Sequence, residues 1–277
     1  MKKVCVKIPA KINLTLDVLG VKDGYHDISS LVCGVNIYDV ITIKKRADKK
    51  ITLTEKGIKS GCIAENNNAY KSALLFMQTF RTNGVDIILN KSIPVGAGLG
   101  GSSADIAGTL LAMKKLFGVN VDIKPLADSL GSDSGYMTIG GPAIISGRGD
   151  KVLPLNEKVD YQLLIISEDF SVSAKECYRV FDTIKEKPLP TTSLAVEGLK
   201  DKQTKHFKND LYLATKTMHP EIEKNIDALK NAGAVASVMT GSGSAVYGVF
   251  TDKKSRDKAY KILYLEYKDK LKKTKTI

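Results

Sequence analysis

A glycine-rich loop followed by two serines is the part of this 277-residue sequence best suited to binding a charged ligand. It reads Pro94-Val-Gly-Ala-Gly-Leu-Gly-Gly-Ser-Ser-Ala104. Glycines bring the backbone close to an anion, and Ser102 or Ser103 can cap a following helix, whose N-terminus favours phosphate. Serine hydroxyls also suit magnesium. The loop lacks the Gly-Lys-Ser/Thr ending of a Walker A sequence, so the cation must come from elsewhere, and a tight loop with a serine cap is the plain alternative.

A lysine near the N-terminus and an aspartate in a second glycine-rich stretch form a candidate catalytic pair. Phosphoryl transfer needs charge neutralisation on the γ-phosphoryl oxygens and a group to orient the attacking hydroxyl, and a lysine and a carboxylate are residue types that serve these needs. Lys11 and Asp133 are of these types, but their spacing does not assign them the roles. Considered in isolation, Asp133 in Gly-Ser-Asp-Ser-Gly is typical of a turn or helix cap, and Lys11 of an exposed strand. The residue types alone therefore leave both interpretations open.

The elements that must position these residues are strands mixed with helices. Alternating apolar residues predict short strands over 4–8 and 12–18, interrupted at Pro9, and another strand over 35–43. Helical spacing predicts helices over 66–81 and 221–231, and a helix that begins at the glycine loop and ends before Gly118. The order lacks a regular β-α alternation, which predicts an α+β fold. A charged linker at 156–160 predicts two domains, 1–155 and 156–277.

Composition narrows the classes of function. The formal charge is +12, and residues 252–277 hold ten Lys/Arg against four Asp/Glu, so half of the excess lies in this segment. There Tyr260, Tyr264, Tyr267 and Leu271 recur at helical spacing, which favours an amphipathic helix with solvated lysines over a polyanion-binding patch. Neither the scattered cysteines nor the three histidines indicate a metal centre, and the N-terminus lacks an export signal. These features predict a cytoplasmic protein with no nucleic acid or membrane partner. They do not give the oligomeric state, which we expect to be a monomer or weak homodimer.

Three segments, in order, resemble the motifs of the GHMP kinases, the family of galactokinase, homoserine kinase, mevalonate kinase and phosphomevalonate kinase. The glycine loop resembles their phosphate-binding motif, and Met239-Thr-Gly-Ser-Gly-Ser-Ala-Val-Tyr-Gly resembles their third motif. Pro9-Ala-Lys-Ile-Asn-Leu-Thr-Leu with Gly24-Tyr-His-Asp-Ile is similar to the opening of a branch whose acceptor carries cytidine diphosphate. Weaker similarities, among them Asn68-Ala-Tyr-Lys71 and Asn209-Asp-Leu211, extend the resemblance over essentially the whole chain.

The resemblance implies an N-terminal domain like domain 2 of ribosomal protein S5, a ferredoxin-like C-terminal domain and an active site between them. It implies phosphorylation by MgATP of the 2-hydroxyl of a methylerythritol unit carrying cytidine diphosphate, a step of non-mevalonate isoprenoid synthesis. Lys11 and Asp133 match the catalytic pair. The implied ATP-binding residues are Pro94, Gly96, Ala97, Gly98, Leu99, Gly100, Gly101, Ser102 and Ser103, with either serine as magnesium ligand.

The implied residues for the acceptor substrate are Asn13, Tyr25, His26, Tyr178, Gly241 and Ser242. Tyr25 would stack on the cytosine, with Tyr178 as a second stacking partner, and His26 would hydrogen-bond the edge of the base. Two departures from the family pattern occur: Ser134-Gly135-Tyr136 follows the aspartate where Val-Pro is common, and the loop has two serines where many members have one. The competing hypotheses are another GHMP kinase, a silent protein of the same fold, and a basic polyanion-binding module.

Overall fold

The computed structural model describes residues 2–277 and mixes strands and helices throughout. In chain order the elements are β1 (Lys3–Asn13), β2 (Thr15–Lys22), β3 (Tyr25–Lys45), β4 (Ile51–Gly57), α1 (Asn68–Phe80), β5 (Val85–Lys91), α2 (Gly101–Phe117), α3 (Lys124–Asp128), α4 (Ser134–Ile139), β6 (Ala143–Gly147), β7 (Lys151–Pro154), β8 (Gln162–Ile166), α5 (Ala174–Asp182), α6 (Thr192–Glu197), β9 (Lys208–Asn209), α7 (Tyr212–Met218), α8 (Glu221–Asn231), β10 (Ala236–Met239), β11 (Val246–Phe250), α9 (Lys253–Tyr267) and β12 (Leu271–Lys275).

The chain forms two compact units whose segments are interleaved in sequence. The first unit contains the residues up to Ala10, Ile37–Val95 and Gly100–Gly140. The second unit contains Lys11–Asn36, Gly96–Leu99 and Gly141–Ile277. Strands β1 and β3 contribute residues to both units, and so does the glycine loop.

The first unit combines a small sheet with helices. β4 runs parallel to β5, and β5 runs antiparallel to the end of β3, with Val40 opposite Asn90 and Lys45 opposite Val85. Helix α1 begins at Asn67, whose side chain accepts a hydrogen bond from the backbone N–H of Ala69, and it buries one apolar stripe. Helix α2 lies close to strand side chains at Gly108, where an added Cβ would stand 2.4 Å from Cδ1 of Ile41. This contact requires glycine.

The second unit has an antiparallel sheet in the order β10-β11-β8-β12. Apolar residues of this sheet pack with residues from α5, α7, α8 and α9 in one core, which includes Leu164, Phe181, Ile222, Leu229 and Leu263. Separately, β2 and the start of β3 form an antiparallel hairpin, β6 and β7 extend it, and β9 pairs with β2 in parallel. The α+β prediction is confirmed in this mixture of sheets and helices.

Several local predictions were wrong, each for a tertiary reason. β1 continues through Pro9, because the fixed φ of proline is compatible with extended backbone, and the interruption falls at Leu14 instead. The basic segment 44–50 resembles a hairpin tip in the sequence, but the strands on its two sides do not pair with each other, because β5 lies between β3 and β4. Leu271 does not continue the last helix; it begins strand β12, which pairs with β8.

Candidate active site

Asn13 is a buried hydrogen-bonding centre at the end of β1, 4% exposed. Its Oδ1 accepts from Nζ of Lys11 at 2.7 Å, from the backbone N–H of Gly241 at 2.9 Å and from Oγ1 of Thr240 at 3.1 Å. Its Nδ2 donates to Oγ of Ser30 at 2.7 Å. Asn13 therefore joins the predicted catalytic lysine to the third glycine motif through its Oδ1.

The part of the glycine loop that belongs to the second unit lies against the same motif. The carbonyls of Ala97 and Leu99 accept the backbone N–H groups of Ala245 and Lys11, each at 3.0 Å. The carbonyl of Gly98 lies 3.3 Å from Oγ1 of Thr240, whose single hydrogen is shared with Oδ1 of Asn13. Gly98 has φ of +78°, and an added Cβ would stand 2.2 Å from the carbonyl oxygen of Thr240. Both the dihedral and the close approach require glycine here. Three motifs identified in the sequence thus meet in one hydrogen-bonded assembly.

Asn209 also hydrogen-bonds the third motif. Its Nδ2 donates to the carbonyls of Met239 at 2.9 Å and Gly241 at 2.7 Å. Ser242 donates from Oγ to the carbonyl of Val172 at 3.2 Å. Sequence reasoning singled out Gly241 and Ser242 but gave Asn209 no site role; the Asn209-Asp-Leu211 similarity was the available signal.

The first unit contains the other part of the loop, from Gly100 onward. Helix α2 begins at Gly101 with Gly100 as its N-cap at φ of +75°, and no side chain caps it. The predicted serine cap is therefore wrong: Ser102 and Ser103 lie inside the first turn, with Ser102 exposed and Ser103 half-buried. Ser102 Oγ accepts from Nδ2 of Asn68, at the start of α1. Pro94 precedes the loop and follows Ile93, which contacts Gly101.

Asp133 occupies the N-cap position of α4 without making a capping hydrogen bond. The turn or helix-cap alternative thus agrees with the position of Asp133, although its side chain does not make the capping hydrogen bond. The departure Ser134-Gly135-Tyr136 forms the buried start of the helix, and a Cβ on Gly135 would stand 1.9 Å from a carboxylate oxygen of Asp128. Glycine at 135 therefore allows α4 to approach α3 closely.

A buried ionic cluster that sequence reasoning missed lies beside the phosphate loop in the first unit. Nζ of Lys91 lies 2.7 Å from Oδ2 of Asp39 and 2.6 Å from Oδ2 of Asp105, and all three side chains are nearly inaccessible. Asp39 Oδ1 also accepts the backbone N–H groups of Ser92 and Ile93, directly before Pro94. Burial raises the pKa of Asp105 to about 7, with Lys91 opposing and Asp39 adding to the rise. The cluster fixes the chain entering the loop.

The predicted base-binding residues lie around the hairpin of β2 and β3 in the second unit. A cavity of about 230 Å³ is lined by Tyr25, His26 and Arg148, together with charged residues of the neighbouring turns. The guanidinium of Arg148 lies 4.4 Å from the centroid of the Tyr25 ring, which is 56% exposed. The His26 ring stacks on Tyr178 at 4.3 Å with the planes 20° apart. The structure thus brings Tyr178 to His26.

Across residues 2–277, no group of three or more His, Cys, Asp or Glu side chains is arranged to hold a metal ion. In the same range, no helix has the length and apolar character needed to span a membrane.

Comparison with known proteins agrees with this architecture. Residues 67–147 match the model of the GHMP kinases N terminal domain, and residues 195–269 match the GHMP kinases C terminal model. The fold and the glycine loop thus define a GHMP kinase, and the two-domain fold expected from the sequence is confirmed. A crystal structure of homoserine kinase from Cytophaga hutchinsonii, 20% identical, shares this fold with a TM-score of 0.74 over 100% of this chain and 95% of that one.

Relatives of higher sequence identity indicate which branch of the GHMP kinases this chain belongs to. The 4-diphosphocytidyl-2-C-methyl-D-erythritol kinase of Clostridium beijerinckii is 34% identical over 95% of this chain and 97% of the relative. The enzyme of the same name from Thermodesulfovibrio yellowstonii is 37% identical over 91% of each chain. A crystal structure of 4-(cytidine 5'-diphospho)-2C-methyl-D-erythritol kinase has a TM-score of 0.86 and 26% identity over 99% of both chains. This chain belongs to the 4-diphosphocytidyl-2-C-methyl-D-erythritol kinase family.

Proposed function

We propose that this chain transfers the γ-phosphoryl group of ATP to the 2-hydroxyl of 4-diphosphocytidyl-2-C-methyl-D-erythritol, in non-mevalonate isoprenoid synthesis. The observation that carries the proposal is the hydrogen-bonded assembly of Lys11, Asn13, the glycine loop and the third motif. The acceptor comes from the names of relatives that cover nearly the whole chain. Phosphoryl transfer depends mainly on positioning and on charge stabilisation, and a rigid polar assembly of this kind supports both.

In the proposed reaction, the 2-hydroxyl oxygen forms a bond to the γ-phosphorus while the bond from that phosphorus to the β–γ bridging oxygen breaks, and ADP leaves. Asp133 accepts the hydroxyl proton as general base. Lys11, oriented by Asn13, neutralises charge that develops on the γ-phosphoryl oxygens. Backbone N–H groups from Gly96 to Ser103 hold the phosphates, aided by the open N-terminus of α2.

Magnesium fits the donor set of the first turn of α2. Ser102 and Ser103 offer the hard oxygen ligands that this ion prefers. When bound, the ion would withdraw charge from the phosphate oxygens. Of the two serines, Ser103 does not share the Asn68 contact of Ser102, so we propose Ser103 as the principal ligand.

The proposed acceptor site uses the hairpin and the third motif. Tyr25 and Tyr178 provide aromatic faces for cytosine, and stacking of a base on an aromatic ring contributes roughly 1–3 kcal/mol in other systems. His26 reads the edge of the base, and Gly241 and Ser242 approach the polar part of the substrate. We further propose domains over 1–155 and 156–277, a cytoplasmic monomer or weak homodimer, and no nucleic acid partner.

The test is an ADP-release assay with purified protein, MgATP and a panel of alcohol acceptors. The cytidyl diphosphate compound is expected to be turned over, and Asp133→Asn is expected to lower kcat roughly 100- to 10,000-fold, the usual contribution of a general base, with little change in ATP affinity. Asp201→Asn, in an exposed turn, is the matched control.

Turnover of homoserine or mevalonate, with none of the cytidyl compound, would assign the chain to another GHMP kinase. No ADP release with any acceptor would favour a silent protein of the same fold. Full activity in Asp133→Asn would remove Asp133 from the catalytic role while leaving the substrate assignment in place.

A further inference from the structure

The imidazole of His26 is contacted on its face and on its edge by the same helix. Tyr178 and Asp182 lie four residues apart on α5, so their side chains share one helix face. The Tyr178 ring stacks on the imidazole, and Oδ1 of Asp182 lies 2.8 Å from Nε2 of His26. The histidine side chain is 17% exposed and the aspartate side chain 50% exposed. The ring is therefore held in one plane, with one of its two nitrogens already engaged.

The Asp182 contact determines the position of the proton on the neutral ring. An ionised carboxylate only accepts hydrogen bonds, so Nε2 of His26 must be the nitrogen that carries hydrogen and donates. In the neutral imidazole the other nitrogen, Nδ1, then has a lone pair and acts as an acceptor. The same logic applies to metal-binding histidines, whose second nitrogen is set by a carboxylate partner.

We infer that Asp182 is a positioning residue that makes Nδ1 of His26 an acceptor and thereby selects cytosine over uracil in the acceptor substrate. Cytosine presents an amino donor at its 4-position, whereas uracil presents a carbonyl acceptor there. The acceptor nitrogen Nδ1 can accept a hydrogen bond from the amino group of cytosine, but it faces the lone pairs of the carbonyl of uracil. Discrimination between the two bases therefore includes repulsion of uracil. The inference deepens the proposed function and rests on its assignment of His26 to the base edge.

The position of Asp182 in the fold separates this role from a structural one. It is the last residue of α5, where a negative charge opposes the helix dipole, so the carboxylate is not placed there to stabilise the helix. A single hydrogen bond in which one partner is half exposed also adds little to folding. Loss of the carboxylate is therefore expected to leave the melting temperature unchanged and to act on the substrate instead.

The kinetic test compares the cytidine and uridine diphosphate derivatives of methylerythritol as acceptors. Asp182→Ala is expected to lower kcat/KM for the cytidine compound by roughly tenfold, the equivalent of one hydrogen bond, mainly through KM. The preference for cytidine over uridine should fall by at least the same factor. Asp182→Glu should restore part of the preference, and Glu176→Ala, which removes an exposed ion pair with Arg179 on the same helix, is the matched control.

Nitrogen-15 spectra of the imidazole rings supply a readout independent of activity. The chain has three histidines, His26, His206 and His219, so His26→Gln identifies the signals of His26. The wild-type ring is expected as the tautomer with hydrogen on Nε2, and Asp182→Ala should shift it toward a mixture of tautomers. A wild-type ring with hydrogen on Nδ1, or an unchanged cytidine preference in Asp182→Ala, would overturn the inference.

The two hypotheses fail in different ways. If wild-type protein turns over neither compound but turns over another alcohol, the proposed function has failed. If it turns over both compounds equally well while the Nε2 tautomer is present, the substrate class stands and the role of Asp182 is refuted.

Discussion

One residue of the buried cluster of Lys91, Asp39 and Asp105, next to the glycine loop, predicts how the free energy of unfolding changes with pH. Asp105 shares the ammonium of Lys91 with Asp39, and its Oδ1 is buried without a hydrogen-bond partner in the described chain. Burial raises its pKa from 3.8 to about 7, against the opposing effect of Lys91. The folded protein therefore binds this proton more tightly than the unfolded chain, so folding loses stability as pH rises between these two values.

The magnitude follows from the size of that shift. Each pH unit between the two pKa values changes the free energy of unfolding by about 1.4 kcal/mol. Between pH 5 and pH 8, ionisation of Asp105 should remove roughly 3 kcal/mol. Asp105→Asn imitates the protonated acid and leaves Lys91 paired with Asp39. The free energy of unfolding of the variant should not show this decrease between pH 5 and pH 8. At pH 5 the variant should be about 1 kcal/mol less stable than wild type, because a buried amide N–H lacks a partner. At pH 8 the variant should be the more stable of the two proteins.

Urea unfolding at several values between pH 5 and pH 8 measures the effect. The informative quantity is the difference in free energy of unfolding between wild type and Asp105→Asn, because groups outside the Lys91 cluster titrate equally in both proteins. Glu65→Gln, at an exposed position, controls for the loss of one negative charge. If this difference does not change with pH, Asp105 is fully ionised in the folded state and the reasoning from burial is wrong.

Two further predictions concern the loop assembly. Gly98→Ala should raise KM for ATP at least tenfold in steady-state kinetics, because the added Cβ would overlap the carbonyl of Thr240. Gly118→Ala is the control, since Gly118 also has a positive φ but an added Cβ would have nothing within 4 Å. This variant should lose about 1 kcal/mol of stability and keep the wild-type KM. Asn13→Ala should lower kcat by roughly 10- to 100-fold because Lys11 loses its orienting acceptor, and near-normal kcat in steady-state kinetics would contradict that role.

Local signals predicted the elements that depend on neighbouring residues. Helix α8 has the predicted bounds, Glu221–Asn231. Glycine at 118 ends α2 as expected, in the left-handed conformation. Such features follow from hydrophobic period and from the special dihedrals of glycine, both of which can be read from a short window.

Pairings between distant segments could not be predicted from such windows. Residue Thr15 pairs in parallel with Lys208, and β4 pairs with β5 instead of with the preceding β3.

Contacts within the candidate site also join residues that are distant in the sequence. Motifs identified Asn13 and Gly241 separately, but the hydrogen bond between them spans 228 positions of sequence. The hydrogen bond from Asn209 to Gly241 likewise leaves no periodic pattern in the sequence from which it could be predicted. The Lys91 cluster draws single residues from three elements, and each looks like a surface charge in its own segment.

The arrangement of the loop carbonyls explains why so many buried polar groups surround a glycine-rich segment. In a trans peptide the C=O of one residue and the N–H of the next point in opposite directions. The carbonyls of Ala97 and Gly98 are held by Ala245 and Thr240, so the N–H groups of Gly98 and Leu99 are directed away from these contacts. An anion site needs this orientation, and a loop already held in it loses little entropy when phosphate binds. If the loop binds ATP as proposed, the polar residues behind it would affect that binding without touching the nucleotide.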